Sequence, residues 1–343
     1  MPILEIAIPT WNRARKLDSL LASLLPAIAE LPIIVSISDN GSTDETDRVV
    51  EKFSHHEKVR AKRHMSNVGF DRNVASLIDS RAASYLWFIG DDDEVAVEHL
   101  PALVRRLESF PDALWTNIAN SSGPSISDRR GWSSESSIDF EQLVQKYGLI
   151  GSCGGLAHIV CRSSLLGAPG SYGRLAGCNY LHVFALAECL AGRRVELFHD
   201  PITRVRERTV VETEAYVERW EMTDAGSWDY SVMRQAELFC TWLAASSRNP
   251  GPGCFRMYDG MQYPFQLLCL KALANILLSG GSLEMGTRNA VRSLMLAVPN
   301  KRFQMLEAAA DTLRGQSRES DDVRAWWKQY REAGHCEWYR NMD

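Results

Sequence analysis

Four consecutive acids close a hydrophobic run in this chain: Tyr85, Leu86, Trp87, Phe88 and Ile89 are followed by Gly90 and then by Asp91, Asp92, Asp93 and Glu94. Adjacent carboxylates repel one another and resist desolvation unless a cation lies among them. Oxygen donors of this kind suit Mg²⁺ or Mn²⁺, and a metal held by few carboxylates keeps positions open for phosphate oxygens. On this reading the ligands are Asp91, Asp92 and Asp93. A plainer description fits the same residues, an acidic turn that caps the following helix.

The elements that deliver these acids can be read from periodicity. Residues 3–8 alternate as a strand, Pro9 to Arg13 form a turn, and an apolar-periodic helix runs to about Ala29. A second strand over residues 33–38 ends in Asp39, Asn40, Gly41, Ser42, Thr43, Asp44 and Glu45, where Ser42 and Glu45 have capping-box spacing. A third strand from Val59 to Arg63 leads to Asn67, Val68, Gly69, Phe70, Asp71, Arg72 and Asn73, then to a helix ending near Ala83. The apolar run from Tyr85 is a strand buried on both faces. Polar clusters thus recur at strand C-termini, the edge where open α/β sheets bind nucleotides. Neither a dinucleotide-type nor a Walker-type glycine loop is present, because Asn40-Gly41-Ser42 and Asn67-Val68-Gly69 are too short and too polar.

In order and spacing, Ile8-Pro9-Thr10-Trp11-Asn12-Arg13, Ser38-Asp39-Asn40-Gly41-Ser42-Thr43-Asp44, Asn67-Val68-Gly69 and Gly90-Asp91-Asp92-Asp93 resemble glycosyltransferase family 2 over roughly the first 110 residues. The details are most similar to bacterial O-antigen sugar transferases of the abequosyltransferase type. The resemblance implies an α/β fold of the GT-A type, with a mostly parallel central sheet over residues 1–215 and a helical domain over 216–343. It also implies a nucleotide-sugar donor, a divalent Mn²⁺ or Mg²⁺ bridging its diphosphate, and sugar transfer to a saccharide or lipid-linked saccharide acceptor. Pro9, Thr10, Asn12 and Arg13 match the loop touching nucleoside and phosphates, Asp39 and Asn40 the base-reading pair, and Asn67, Gly69 and Arg72 the segment beneath the diphosphate. Asp91, Asp92 and Asp93 match the aspartate motif, with Asp91 also counted among the donor-binding residues and Asp93 among the catalytic ones.

Two departures from the family pattern stand out. Most members carry a second aspartate where this chain has Asn40, and a carboxamide presents either a donor or an acceptor to a pyrimidine, so CDP- and UDP-sugars both stay open. Inverting members place a basic carboxylate about a dozen residues before a Gly-aromatic-basic segment, which here corresponds to Gly192 through Pro201. Counting back reaches Cys178-Asn179-Tyr180-Leu181-His182, which holds no acid. His182 acts as the base, Glu188 approaches from a shifted helix, or the enzyme retains configuration and the donor phosphate takes the acceptor proton. Arg204, Arg206 and Arg208 alternate so that one strand face turns either toward the phosphates or toward solvent. The missing acid also leaves open a non-catalytic sugar-nucleotide-binding or scaffold protein. A nucleotidyltransferase needs a Gly-rich, Lys-containing loop that is not apparent.

Composition agrees with a cytoplasmic enzyme. The 343 residues are 45% hydrophobic, enough for a full core, and the formal charge of -5 argues against nucleic acid as partner. Eight cysteines lie scattered without a Cys-x-x-Cys pair, which disfavours zinc and a disulfide framework. Glu5 interrupts the first apolar stretch, unlike a signal peptide. Residues 117–137 are rich in Ser and Gly and read as a long surface loop, and Gly151 to Gly155 precede an apolar strand from Leu156 to Cys161 near the acceptor side. Beyond Tyr216 the pattern becomes helical. Trp326-Trp327-Lys328-Gln329-Tyr330-Arg331 is either a helix with buried aromatics or a peripheral contact with the inner face of the plasma membrane.

Overall fold

A computed structural model of the protein describes residues 2–120, 136–147 and 149–205. The expected helical domain over 216–343, the Trp326 stretch, Arg206, Arg208 and most of the loop over 117–137 lie outside these residues.

Strand β1 (Leu4–Thr10) is paired on one side with β2 (Ile33–Asp39) and on the other with β4 (Tyr85–Phe88). β3 (Val59–Arg63) extends the sheet beyond β2. Beyond β4 lie β8 (Ile159–Arg162), β6 (Ala113–Asn120), β9 (Arg194–Val205) and the two-residue β5 (Glu94–Val95), while β7 (Ser137–Asp139) pairs with β9. The first four strands are parallel, as the sequence implies. The sheet as a whole is mixed, because β8 runs antiparallel to both β4 and β6, and β5 and β7 run antiparallel to β9. That corrects the mostly parallel expectation. The repeating strand-helix rhythm stops after β4, and the later strands are joined in ways that reverse direction.

Strand alternation sorts side chains onto two cores. Leu4, Ile6, Ile8, Tyr85 and Trp87 face one layer, made by helices α1 (Ala14–Ala27), α2 (Thr46–Ser54) and α4 (Leu100–Leu107). Ala7, Leu86 and Phe88 face the other, made by α3 (Phe70–Asp79), α5 (Phe140–Tyr147), α6 (Leu149–Cys153) and α7 (Leu181–Leu190). The apolar run before the aspartates is therefore buried on both faces as expected. Helix α1 presents Leu17, Leu20, Leu21, Leu24 and Leu25, the i, i+3, i+4, i+7, i+8 stripe of a helix laid on a sheet.

Three boundaries differ from the sequence reading. β1 continues through Pro9 and Thr10 instead of turning at Pro9. The Ile89 N–H donates to the Ala7 carbonyl at 3.1 Å, the last bond between β1 and the β4 chain. Pro9, two residues on, faces that same side after β4 has ended, so its missing N–H leaves no ladder bond unmade. The apolar strand expected over residues 156–161 begins only at Ile159, because Leu156–His158 form a short 3₁₀ turn. The capping box at Ser42 and Glu45 does not form: α2 starts at Thr46, and Ser42 turns back to Asp39.

One buried charge helps set the register of the parallel half. Glu5 is fully buried on β1, its Oε1 accepting from Ser36 Oγ at 2.6 Å and its Oε2 from the N–H groups of Ala82 at 2.5 Å and Ala83 at 3.2 Å. Glu5→Leu leaves these donors unpaired and is expected to cost about 2–4 kcal/mol. Urea unfolding checks this as a lower midpoint at unchanged slope.

Candidate functional site

The aspartates sit in a turn immediately after β4. Asp93 N–H donates to the Gly90 carbonyl at 3.2 Å, and the Gly90 N–H donates to Asp93 Oδ2 at 2.8 Å. A Cβ on Gly90 would come within 3.0 Å of Asp92 Oδ1 and 3.1 Å of Asp93 Oδ2. Gly90 therefore leaves room for two converging carboxylates where a fourth acid would crowd them. Asp91 is buried and accepts from Thr10 Oγ1 at 2.7 Å. Burial pushes its carboxyl up to about 6, with Arg13 and Lys16 pulling it down and Asp92 pushing it further up. Asp92 faces the cations: Arg13 Nη1 lies 3.3 Å and Lys16 Nζ 3.8 Å from its Oδ2, each side chain about four-fifths buried. At an effective dielectric of about 20, unit charges 4 Å apart interact by about 4 kcal/mol, so these two contacts are comparable with the repulsion between neighbouring acids.

A second set of ties joins the loops after β1 and β2. Asn12 adopts a left-handed φ of 52°, receives the Thr43 N–H on Oδ1 at 2.8 Å and donates its own N–H to Ser42 Oγ at 2.8 Å. Arg13 N–H donates to Thr46 Oγ1 at 3.0 Å. These bonds aim the Arg13 guanidinium across β1 at Asp92. Asp39 is fully buried, with Oδ1 accepting from the Ser42 N–H and hydroxyl, and Oδ2 3.3 Å from Arg63 Nε but hydrogen-bonded to nothing among the described residues.

The carboxamide of Asn40 is committed to the neighbouring loop. Its Nδ2 donates to Asn67 Oδ1 at 2.8 Å and its Oδ1 accepts from Val68 N–H at 2.9 Å, while the Gly69 N–H also reaches Asn67 Oδ1 at 2.8 Å. Both ends of that amide clamp the β3–α3 loop to β2. Gly41, at φ 69°, permits the approach, because a Cβ there would collide with the backbone of Ser66 and Asn67. Gly69, at φ 85° and ψ 154°, opens α3 in a conformation restricted to glycine. Arg72 is exposed on α3. Pro9, Thr10, Asn12, Arg13, Asp39, Asn40, Asn67 and Gly69 thus gather with the aspartates along one edge of the sheet, formed by the ends of β1, β2, β3 and β4.

Residues 5–166 match the family model described as Glycosyl transferase family 2. Over those residues the chain is similar to glycosyltransferase family 2. It is 32% identical over 113 residues to the abequosyltransferase RfbV of Salmonella typhimurium, a match covering 32% of this chain and 34% of that protein. The chain thus aligns with about a third of that curated relative's length. Among solved structures, S. aureus TarS 1-349 superposes with a TM-score of 0.54 at 14% identity, covering 96% of this chain and 92% of that one. The same protein in complex with UDP-GlcNAc gives 0.54 at 13% identity. At such identities the likeness shows a shared α/β fold.

The residues expected to supply a base lie past the family 2 match. His182, in the first turn of α7, is buried, with Nε2 3.1 Å from the Gly154 carbonyl and the rings of Phe70 and Tyr180 each 6.0 Å away. Burial lowers it to about 4, against the hydrogen bond to Gly154. It is therefore a neutral, packed side chain near neutral pH. Glu188 sits about 9 Å further along the same helix and is gripped by Arg174 at 2.8 and 2.5 Å. α7 runs from the strand C-terminal edge back to the edge where β9 begins, so Glu188 lies at the end away from the aspartates. Arg204 pairs in register with Glu94, next to Asp93, and its guanidinium lies 4.0 Å from Glu98.

Asp71 escaped the sequence reading. It is buried in the first turn of α3, and its carboxylate receives four backbone N–H groups: Gly177, Cys178 and Asn179 at 2.8 Å each and Leu181 at 3.1 Å. Burial pushes its carboxyl up while those four donors pull it down. The signal was available, since Asp71 falls in one stripe with Val74, Ala75 and Ile78, an acid in an apolar face.

Two outcomes are expected from these contacts. Asn40→Asp replaces the donor facing Asn67 Oδ1 with an acceptor, and should lower stability by about 1–3 kcal/mol in denaturant unfolding. For His182, the folded value lies below the ordinary 6.5. Its neutral form therefore carries no penalty above about pH 6.5. As pH falls from there toward 4, the unfolded chain takes up a proton that the folded one refuses, and up to about 3 kcal/mol is lost. Unfolding midpoints at pH 7.5 and 4.5 should show a smaller difference in His182→Gln than in the wild type.

Proposed function

We propose that the protein is a glycosyltransferase that moves a sugar from a nucleotide-diphosphate donor to a saccharide or lipid-linked saccharide acceptor in bacterial surface-polysaccharide synthesis, acting on the cytoplasmic side of the membrane. The observation that carries this reading is the convergence of Thr10, Arg13 and Lys16 on Asp91 and Asp92 at the C-terminal strand edge, beside the clamped loops of Asp39, Asn40 and Asn67. The family 2 match and the relative named as an abequosyltransferase support it. The likeness in fold to TarS, whose complexes hold UDP-GlcNAc and UDP, supports a nucleotide-sugar donor. The bases of CDP and UDP both suit a polar site at Asp39.

The acids suit Mn²⁺ or Mg²⁺ as hard oxygen donors. Among the described residues no three His, Cys, Asp or Glu side chains converge as a complete cage. Such a donor set fits an ion bound by one or two carboxylates together with substrate phosphates. The carboxylates that would hold it come from Asp91, Asp92 and Asp93, each of which already bears a protein contact. A bound ion would supply charge neutralisation for the departing diphosphate.

The protein's own groups position and stabilise. Arg13 and Lys16 lie where they can pass from Asp92 to a phosphate oxygen, and Asp93 lies beside Asp92 in a turn closed by its Oδ2 on the Gly90 N–H. In transfer, the bond from the anomeric carbon to the diphosphate oxygen breaks, a bond to the acceptor oxygen forms, and the acceptor proton goes to the leaving diphosphate. A neutral, packed His182 and a distant, paired Glu188 favour this retaining route over an inverting one that needs a protein base.

Thermal shifts with CDP, UDP, GDP and TDP, each with and without Mn²⁺, test the reading. One nucleotide should raise the melting temperature in a metal-dependent way, with Mn²⁺ alone doing little, and Asp92→Asn should weaken the effect. No shift with any nucleotide overturns the donor site. With the donor in hand, proton NMR of the product anomer decides retention, and an inverted product returns the search to a base.

A further inference from the structure

Asp71 joins two parts of the domain that chain connectivity keeps far apart. On one side, α3 begins at Gly69, whose N–H is held by Asn67, and Asn67 is held by Asn40 at the end of β2. On the other side lies the segment from Gly177 to Leu181, which enters α7 and carries Asn179, Tyr180 and, one residue on, His182. This segment is an unusual piece of backbone. Gly177 has φ 96° and Asn179 φ 58°, and its N–H groups at 177, 178, 179 and 181 all point inward at one carboxylate. A loop whose donors converge like this cannot hold its shape in a buried setting without an anion at the centre, because each unpaired N–H costs about 1–3 kcal/mol.

We infer that Asp71 is a positioning residue that fixes the Gly177–Leu181 segment against the donor-side helix, so that the segment's order follows occupancy of the nucleotide site. The inference rests on the donor site proposed above and goes beyond it to a segment joined to that site through α3. The N-termini of α3 and α7 lie side by side at the strand C-terminal edge, and Phe70 meets His182 ring edge to ring face across the junction. One turn of helix, tied by Asn67 at its start and by four amides two residues later, transmits displacement as a unit because packed helices are stiff. The segment it carries is linked through α3 to Asn67 and Asn40. Asp71 touches neither reacting group. Its effect is exerted through Asn179, Tyr180 and His182.

Amide hydrogen exchange on the full chain tests this with UDP, CDP, GDP and TDP, each with Mn²⁺, as probes. Without nucleotide, the amides of 177, 178, 179 and 181 should exchange about ten-fold or more faster in Asp71→Asn than in the wild type, the size expected for a lost charge-assisted bond. With the nucleotide that binds, protection should rise at 40–43 and 67–69 in both proteins, and at 177–181 in the wild type alone. Unchanged exchange at 177–181 in the variant overturns the anchoring. Protection at 67–69 without any change at 177–181 in the wild type overturns the coupling. If no nucleotide alters 40–43 or 67–69, the donor site itself is refuted, and the variant's basal exchange still decides whether Asp71 anchors the segment. Should Asp71→Asn exchange globally, Gly177→Ala strains the same loop at its positive φ while keeping the acid. It should speed exchange at 178–181 and abolish the nucleotide response there, and a wild-type pattern in it overturns the inference.

Discussion

The structure depends on placing three carboxylates at the end of a strand buried on both faces without losing the strand. Left alone, Asp91, Asp92 and Asp93 would repel one another in a poorly solvated corner, and β4 would be the element to yield. The compensation comes from β1 and the start of α1, the neighbouring element in the parallel ladder: a hydroxyl from Thr10 and cations from Arg13 and Lys16. Register decides whether this works. Leu4 pairs with Tyr85 and Ala7 with Phe88, which sets Thr10 level with Asp91. The all-apolar interior strands are thus a means of delivering charge to one edge at fixed offsets.

Around that corner the loops hold one another rather than standing independently. Asn12 is bound by Thr43 and Ser42, Asp39 by Ser42 and Arg63, and Asn40 by Asn67 and Val68. Short polar side chains at each strand end act on the next loop along, so a change in one loop is felt in its neighbour. Such mutual bonding explains how three loops with little apolar content keep a defined shape at a surface where water competes for every bond.

The parallel half of the sheet was legible because its signals are local: β1 to β4 show alternating or continuous apolar runs, and α1 shows a full leucine stripe. The polar residues at strand ends could be picked out from their positions alone, and the structure gathers those of the first four strands along one edge. Less legible were features set by partners distant in sequence. The reversal at β8 depends on pairing with β4 and β6 across 44 or more residues, and short strands such as β5 carry almost no pattern of their own. The occupied amide of Asn40 and the distant station of Glu188 followed from who lies opposite, which spacing does not encode. Asp71 shows the intermediate case: an acid in an apolar stripe announces an unusual partner without naming it.

Pro9 has a consequence for how the cleft comes to exist. Pro9 has no N–H to donate toward the chain leaving β4, so it adds no ladder bond of its own beyond the one from Ile89 N–H to the Ala7 carbonyl. Thr10 and Asp91 then meet by side chain across the gap instead of by main chain. The fork between β1 and β4 is therefore present before any ligand arrives, and a molecule entering it need not first pull hydrogen-bonded strands apart.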